Sequence, residues 1–136
     1  MTNALDCELV KETIHGTVKI DSGNKSDFIL QYREALEETK SVSGVVYVLK
    51  TELPMPRFKG SSNILYIGET KYDVWSRYDV EIDANEFWPV YSYAVSNYGA
   101  IFVDVYVSSN HKVTEKRFLS QYYGFHNELP PINRRF

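Results

Sequence analysis

Two apolar runs, each with a tyrosine near its middle, constrain the fold of this chain more than any other feature: "GVVYVLK" at 44–50 and "NILYIG" at 63–68. Both are rich in β-branched and aromatic residues and are bounded by turn-forming residues, so each is expected to be a strand. The connector between them, "TELPMPRFKGSSN", holds two prolines and a Gly-Ser-Ser turn. It is expected to be a long hairpin loop over 51–62, with Arg57 and Lys59 near its tip. A third run, "AIFVDVYV" at 100–107, is apolar enough for the middle of a sheet.

Helical signals surround these runs. Ser26 or Asp27 is expected to cap a helix that buries Phe28, Leu30, Tyr32, Ala35 and Leu36 and ends near Lys40. A short helix is expected from Thr70 to about Tyr78, capped by Thr70 or Asp73. In 79–99 a helical piece around Ala84–Trp88 should break at Pro89. A last helix should start at Ser108 or Ser109 and run to about Tyr123, with Gly124 placed to end it and the tail "HNELPPINRRF" extended. The expected class is α/β in the α+β sense: a small central antiparallel sheet of about three strands flanked by helices, with an N-terminal extension.

At 136 residues one domain is expected, divided into an accessory extension over 1–40 and a main unit over 41–136. The extension carries its own signals, a period-two strand or hairpin around Val10–His15 and a turn at "DSGNKS". No apolar run approaches the ~20 residues of a membrane span, and the N-terminus lacks a basic region followed by an apolar one. With Cys7 as the lone cysteine, neither an intrachain disulfide nor a cysteine-rich zinc site can form. A cytoplasmic protein with no membrane partner is expected. The net charge of −3 is unfavourable for a partner that is a polyanion, but it lies wholly in 1–40, which hold five Lys/Arg against eight Asp/Glu. The remainder is balanced, so a locally basic surface is compatible with it.

The residues that could carry chemistry are few. Glu115 precedes Phe118, Leu119 and Tyr122 by three, four and seven positions, which puts a carboxylate on the inward stripe of the last helix. Such a carboxylate needs a cation, a donor or an open cleft beside it; a structural pair with an arginine or a capping role is the alternative. Arg77 shares a helix face with Val74 and Tyr78, as a snorkelling arginine also would. Tyr47 and Tyr66 could project to one sheet face with their hydroxyls at its rim, or could pack across strands as core residues. Asp79, Glu81, Asp83 and Glu86 suit a solvated acidic loop better than a cation site. His15, His111 and His126 show no paired metal-ligand spacing, and "SGNKS" lacks the glycine spacing of a phosphate loop.

Taken in order, "GVVYVL", "LYIGET", Arg77, Glu115 in "TEKRFLSQYY" and Asn133 in "ELPPINRR" give residues 44–136 the pattern of a known family. This region resembles the GIY-YIG nuclease superfamily. It departs from the pattern in having Val45 at the first position of the GIY triplet and a longer connector between the tyrosine motifs, and the first forty residues match nothing in the family. The resemblance implies a small antiparallel sheet flanked by helices and a one-metal hydrolysis of DNA phosphodiesters. It implies that Tyr47 accepts a proton from the attacking water, Tyr66 orients that water or the phosphate, and Arg77 stabilises charge on the phosphoryl oxygens. Glu115 would hold a divalent cation, Mg²⁺ or Mn²⁺, and Asn133 would brace the site.

The expected partner is DNA, held by Arg57, Lys59, Lys71, Lys112, Lys116, Arg117, Arg134 and Arg135. A chain that ends three residues after Asn133 is expected to carry no C-terminal DNA-reading module. Specificity would then come from 1–40, 51–62, 79–99, a protein partner or a second copy. The competing expectation is a catalytically inactive module of the same fold that binds nucleic acid or protein, which the acidic front segment favours.

Overall fold

A computed structural model describes residues 4–133. Four strands and four helices follow one another as β1 (Val10–Ile14), α1 (Lys25–Glu37), β2 (Val45–Pro56), β3 (Ser61–Thr70), α2 (Val74–Arg77), α3 (Val80–Tyr98), β4 (Ile101–Ser108) and α4 (His111–His126). The strands form one antiparallel sheet in the order β1-β4-β2-β3. The architecture is the expected α+β one, with four strands rather than about three. The extra strand is β1, whose residues pair with the end of β4.

The front of the chain belongs to the main sheet and core. Ile20 exchanges backbone hydrogen bonds with Ile101 at 3.0 and 2.9 Å, and Gly16 lies so close to β4 that a Cβ there would stand 2.2 Å from the Val103 carbonyl oxygen. Phe28, Tyr32, Ala35 and Leu36 of α1 are buried in the same cluster as Val45, Tyr47, Leu49, Val103 and Val105. α1 begins after Asn24, whose side chain accepts from the Asp27 amide, two or three residues before the expected cap.

The sheet has a different helical layer on each face. α1 and α3 cover the face of Val45, Tyr47 and Leu49, while α4 sets Phe118, Leu119 and Tyr122 against Val46, Val48 and Ile67. Alternation along β2 makes this division. Among the described residues no helix is long and apolar enough to cross a membrane.

Three local expectations give way to other physics. The connector 51–62 is mostly strand: β2 continues through Pro56, and the turn contracts to 57–60, where Gly60 has φ +71° and its carbonyl accepts from the Arg57 amide at 3.0 Å. Pro54 and Pro56 are tolerated because the pairing of β2 with β4 ends at Thr51, leaving no ladder on that side to interrupt. α3 runs through Pro89, since the backbone leaves helical geometry at Phe87 (φ −109°, ψ 17°) and the proline enters the first turn of the second half. α4 passes Gly124 and ends at Asn127, a non-glycine residue in the left-handed region at φ 57° whose amide bonds the Tyr123 carbonyl.

The turn of the β2–β3 hairpin is fastened to the end of α4. The Arg57 guanidinium donates to the Leu129 carbonyl at 2.6 Å and pairs with Glu128 at 2.9 Å, while the Lys59 amide donates to the His126 carbonyl at 3.1 Å. Arg57 thus faces the protein, with a side chain only 12% exposed, in contrast to the exposed Lys59. Arg57→Ala is expected to lower the melting point by loosening the hairpin, a cost of about 1–2 kcal/mol. Lys59→Ala should leave the melt unchanged. Denaturation curves of the two variants check this, and equal melts would show that the Arg57 contacts hold nothing in place.

Candidate functional site

Tyr47 and Tyr66 meet on the α1/α3 face of the sheet. Tyr47 pairs with Gly68, and Leu49 with Tyr66, so the two phenols are diagonal neighbours across β2 and β3. Their ring centroids are 5.9 Å apart. The register shifts after Leu49, so that Lys50 pairs with Ile64 and Leu65 has no partner of its own. This bulge turns Leu65 and Tyr66 toward the same side.

Gly68 is what lets the phenols come together. A Cβ on it would lie 2.6 Å from Tyr47 Cζ, 2.6 Å from Tyr66 Cε2 and 2.7 Å from the Tyr47 hydroxyl. The space a side chain would fill is occupied by both rings.

Tyr47 is only 7% exposed. Burial pushes its phenol well above the ordinary value, and the neighbouring Tyr66, Tyr78 and Asp83 add to the effect. Tyr66 is half-buried and is also raised, chiefly by burial, with Glu115 among the charges that contribute. Without a cation nearby, both phenols therefore favour the protonated form at neutrality.

On the opposite face, α4 brings a second group of side chains to the same edge strand. Glu69 follows Gly68 and so points to the α4 side. Its Oε2 lies 2.5 Å from Nδ1 of His111, the first residue of α4, and Glu115 follows His111 by one turn. Glu115 is half-buried; burial and then the Glu69 charge raise its carboxyl above the usual range, against the smaller pull of Lys116 and His111. β3 is an edge strand, and of the α4-side group Glu69 shares the lining of one cleft with Tyr47.

A cleft of about 200 Å³ opens at this margin, lined by Tyr47, Glu69, Thr70, Val74 and Tyr78. Val74 opens α2 and Tyr78 follows it; the helix starts after Asp73, whose side chain accepts from the Ser76 amide at 2.8 Å, and closes with the Tyr78 amide on the Val74 carbonyl at 2.9 Å. Arg77 is the last residue of this turn; its side chain lies outside the described set.

Asn133 holds the margin from outside. Its Oδ1 accepts from the Ile67 amide at 2.9 Å, and its Nδ2 donates to the Ile67 carbonyl at 2.9 Å. One side-chain amide thus takes the place of a neighbouring strand between Tyr66 and Gly68. Asn133→Asp keeps the acceptor and loses the donor, so it is expected to cost about 1–3 kcal/mol and to speed exchange of the Ile67 amide. Unchanged exchange at Ile67 would show that the bracket is idle.

The other sequence-predicted residues are scattered. Lys59, Lys71, Lys112 and Lys116 are exposed. Arg117 is paired with Glu8 at 2.5 Å, and Arg57 is engaged at the hairpin turn. Arg134 and Arg135 lie outside the described residues. Asp83 departs from the expected solvated loop: it is 8% exposed and accepts from the Tyr91 hydroxyl. Burial raises its carboxyl, and hydrogen bonding from Tyr91 offsets part of that.

Glu69 and His111 were not distinguished by the sequence reasoning. Their signals were the adjacency of Glu69 to Gly68 and the four-residue spacing of His111 and Glu115. Among the described residues no group of three or more His, Cys, Asp or Glu side chains is arranged to hold a metal ion. The acidic groups at this margin are Glu115 and Glu69; burial and then the Glu69 charge raise the Glu115 carboxyl, and Glu69 is already paired with His111. Comparison of the chain with family models, with curated proteins and with solved structures gives no match.

Proposed function

We propose that the protein is a DNA endonuclease of the GIY-YIG type that hydrolyses phosphodiester bonds with one divalent cation. The observation that carries this reading is the convergence at one margin of β3: two phenols packed over a glycine on one face, and Glu115 within electrostatic reach of Tyr66 from the other. Glu115 would hold Mg²⁺ or Mn²⁺, with Glu69 adding negative charge beside it. Bound there, the cation would supply charge neutralisation at the phosphate and acidify the attacking water.

The protein's own groups divide the remaining work. Tyr66, the more accessible phenol, would orient the water or a phosphoryl oxygen by hydrogen bonding. Tyr47 is protonated at neutrality, so it takes a proton only where cationic charge in the loaded site lowers its pKa. Arg77, at the end of α2, is assigned the phosphoryl charge that grows in the transition state. Asn133 keeps the Ile67 peptide fixed between the residues that bear the chemistry. The exposed lysines 59, 71, 112 and 116 supply the sequence-independent attraction to the backbone.

A nicking assay on supercoiled plasmid tests the reading. Open-circular product is expected with Mg²⁺ or Mn²⁺ and none with excess chelator. The depth at which Tyr47 is buried favours a second reading, an inactive module of the same fold that binds DNA or protein. Salt-dependent DNA binding with no metal-dependent nicking would establish that reading in place of the first.

A further inference from the structure

The helix that carries Arg77 is a single turn of four residues, too short to persist without outside support. Much of that support comes from α1. The Arg33 guanidinium donates from Nη1 to the Trp75 carbonyl at 3.0 Å and to the Tyr78 carbonyl at 3.4 Å. These carbonyls lie within and just after α2, where a helix has unpaired acceptors and favours a cation. The same guanidinium stands 4.4 Å from the centre of the Trp75 ring, and Lys40 Nζ stands 3.9 Å from it.

The inner side of α2 is held by the preceding residue of α1. Tyr32, buried at 1% exposure, packs on Tyr78 with ring centroids 5.9 Å apart. Tyr78 in turn meets Tyr47 edge-on at 5.5 Å. Successive residues of α1 thus grip α2 and its exit from two sides, and the grip continues into the phenol pair.

We propose that Arg33 is a positioning residue for the α2 turn, fixing the backbone that carries Arg77 and, through Tyr78, the packing of Tyr47. This gives the front segment a definite part in the chemistry. The inference rests on the nuclease reading for its catalytic consequence and on geometry alone for its structural one. A guanidinium suits the task because it donates to two carbonyls while its carbon stands over an indole, in a fixed fork geometry that the shorter-reaching point charge of an ammonium does not reproduce.

The test uses the full chain with Arg33→Ala, Arg33→Lys, Arg77→Ala and the double variant Arg33→Ala/Arg77→Ala. Exchange of the Tyr78 amide, protected by its bond to Val74, should quicken by about tenfold or more in Arg33→Ala as the turn opens locally. Cleavage should fall by about 10²-fold in kcat with little change in KM, and Arg33→Lys should recover only part of the loss. The double variant should be no worse than Arg77→Ala alone, because Arg33 acts through the turn that Arg77 occupies. Unchanged Tyr78 exchange in Arg33→Ala, losses that multiply in the double variant, or wild-type behaviour of Arg33→Lys in both readouts would overturn the proposal. Should Arg33→Ala not fold, Arg33→Lys carries the same two measurements. If the wild-type protein does not cut DNA, the nuclease reading fails and the exchange experiment still decides whether Arg33 holds α2.

Discussion

Glu115→Gln is expected to reduce plasmid nicking by several orders of magnitude while DNA binding persists or tightens. The change keeps the shape of the side chain and removes the charge that would hold the cation. Its effect on stability distinguishes this role from a structural ion pair. Burial and Glu69 raise the Glu115 carboxyl above its ordinary value, so between the unfolded and folded pKa values the folded chain binds more protons than the unfolded one. Stability contributed by this group therefore falls as pH rises through that window, and the metal-free Gln variant should melt at or slightly above the wild-type temperature at neutral pH. Cation affinity has the opposite dependence: binding requires the ionised carboxyl, so affinity should drop as pH falls through the raised pKa. Calorimetric titration with Mn²⁺ at several pH values measures this without reference to activity. A Gln variant that melts far below wild type, or that nicks at the wild-type rate, would remove Glu115 from the metal site.

Gly68→Ala should be nearly as damaging to activity, for a steric reason. A methyl group at 2.6 Å from both phenol rings, with β-strand backbone beneath it, can be accommodated only by swinging Tyr47, Tyr66 or both away. Overpacking of this kind costs about 1–3 kcal/mol, and a displacement near 1 Å at reacting groups costs about 10²-fold in rate. Gly124→Ala is the control. Nothing stands within 4 Å of a Cβ at that helical glycine, so the variant should be more stable by about 0.5–1 kcal/mol and equally active. A Gly68→Ala protein with the wild-type melt and rate would show that the phenol packing around the glycine is looser than the rings imply.

The parts of the fold legible in the sequence are those set by local pattern. The β-branched and aromatic runs at 45–50, 63–68 and 101–107 are strands, and the stripe of Phe118, Leu119 and Tyr122 is the buried face of α4. Propensity failed where tertiary context supplied what it could not foresee. Pro54 and Pro56 signal a loop until β2 is seen to extend past the end of β4. Gly124 signals a helix end until Asn127 takes the left-handed position three residues later. Asp83 is polar by type and sits within an acidic run, but α3 turns it onto Tyr91.

The candidate site divides in the same way. The two tyrosine strands were readable, whereas the contacts of the opening forty residues with α2 were not. β1 and α1 were each legible from local pattern, but the pairing of β1 with β4 and the Arg33 contacts join segments dozens of residues apart, which no local period encodes. Glu69 and His111 escaped for a similar reason, because one lies on a strand and the other on a helix and only the sheet margin brings them together.

The bracket made by Asn133 has a consequence for solubility. β3 is an outer strand, and an unpaired outer strand is a template on which other chains can add. Ile132 donates to the Leu65 carbonyl at 3.0 Å, and Asn133 takes both the amide and the carbonyl of Ile67, so the tail occupies three backbone groups that a foreign strand would need. The other outer strand, β1, has only five residues, includes Lys11 and Glu12, and shifts register between Val10 and Glu12; a short, charged, irregular strand is a poor template. Self-assembly through the sheet is thus blocked at one margin by a covering segment and at the other by irregularity, and only the first block can be lifted by loss of a few residues.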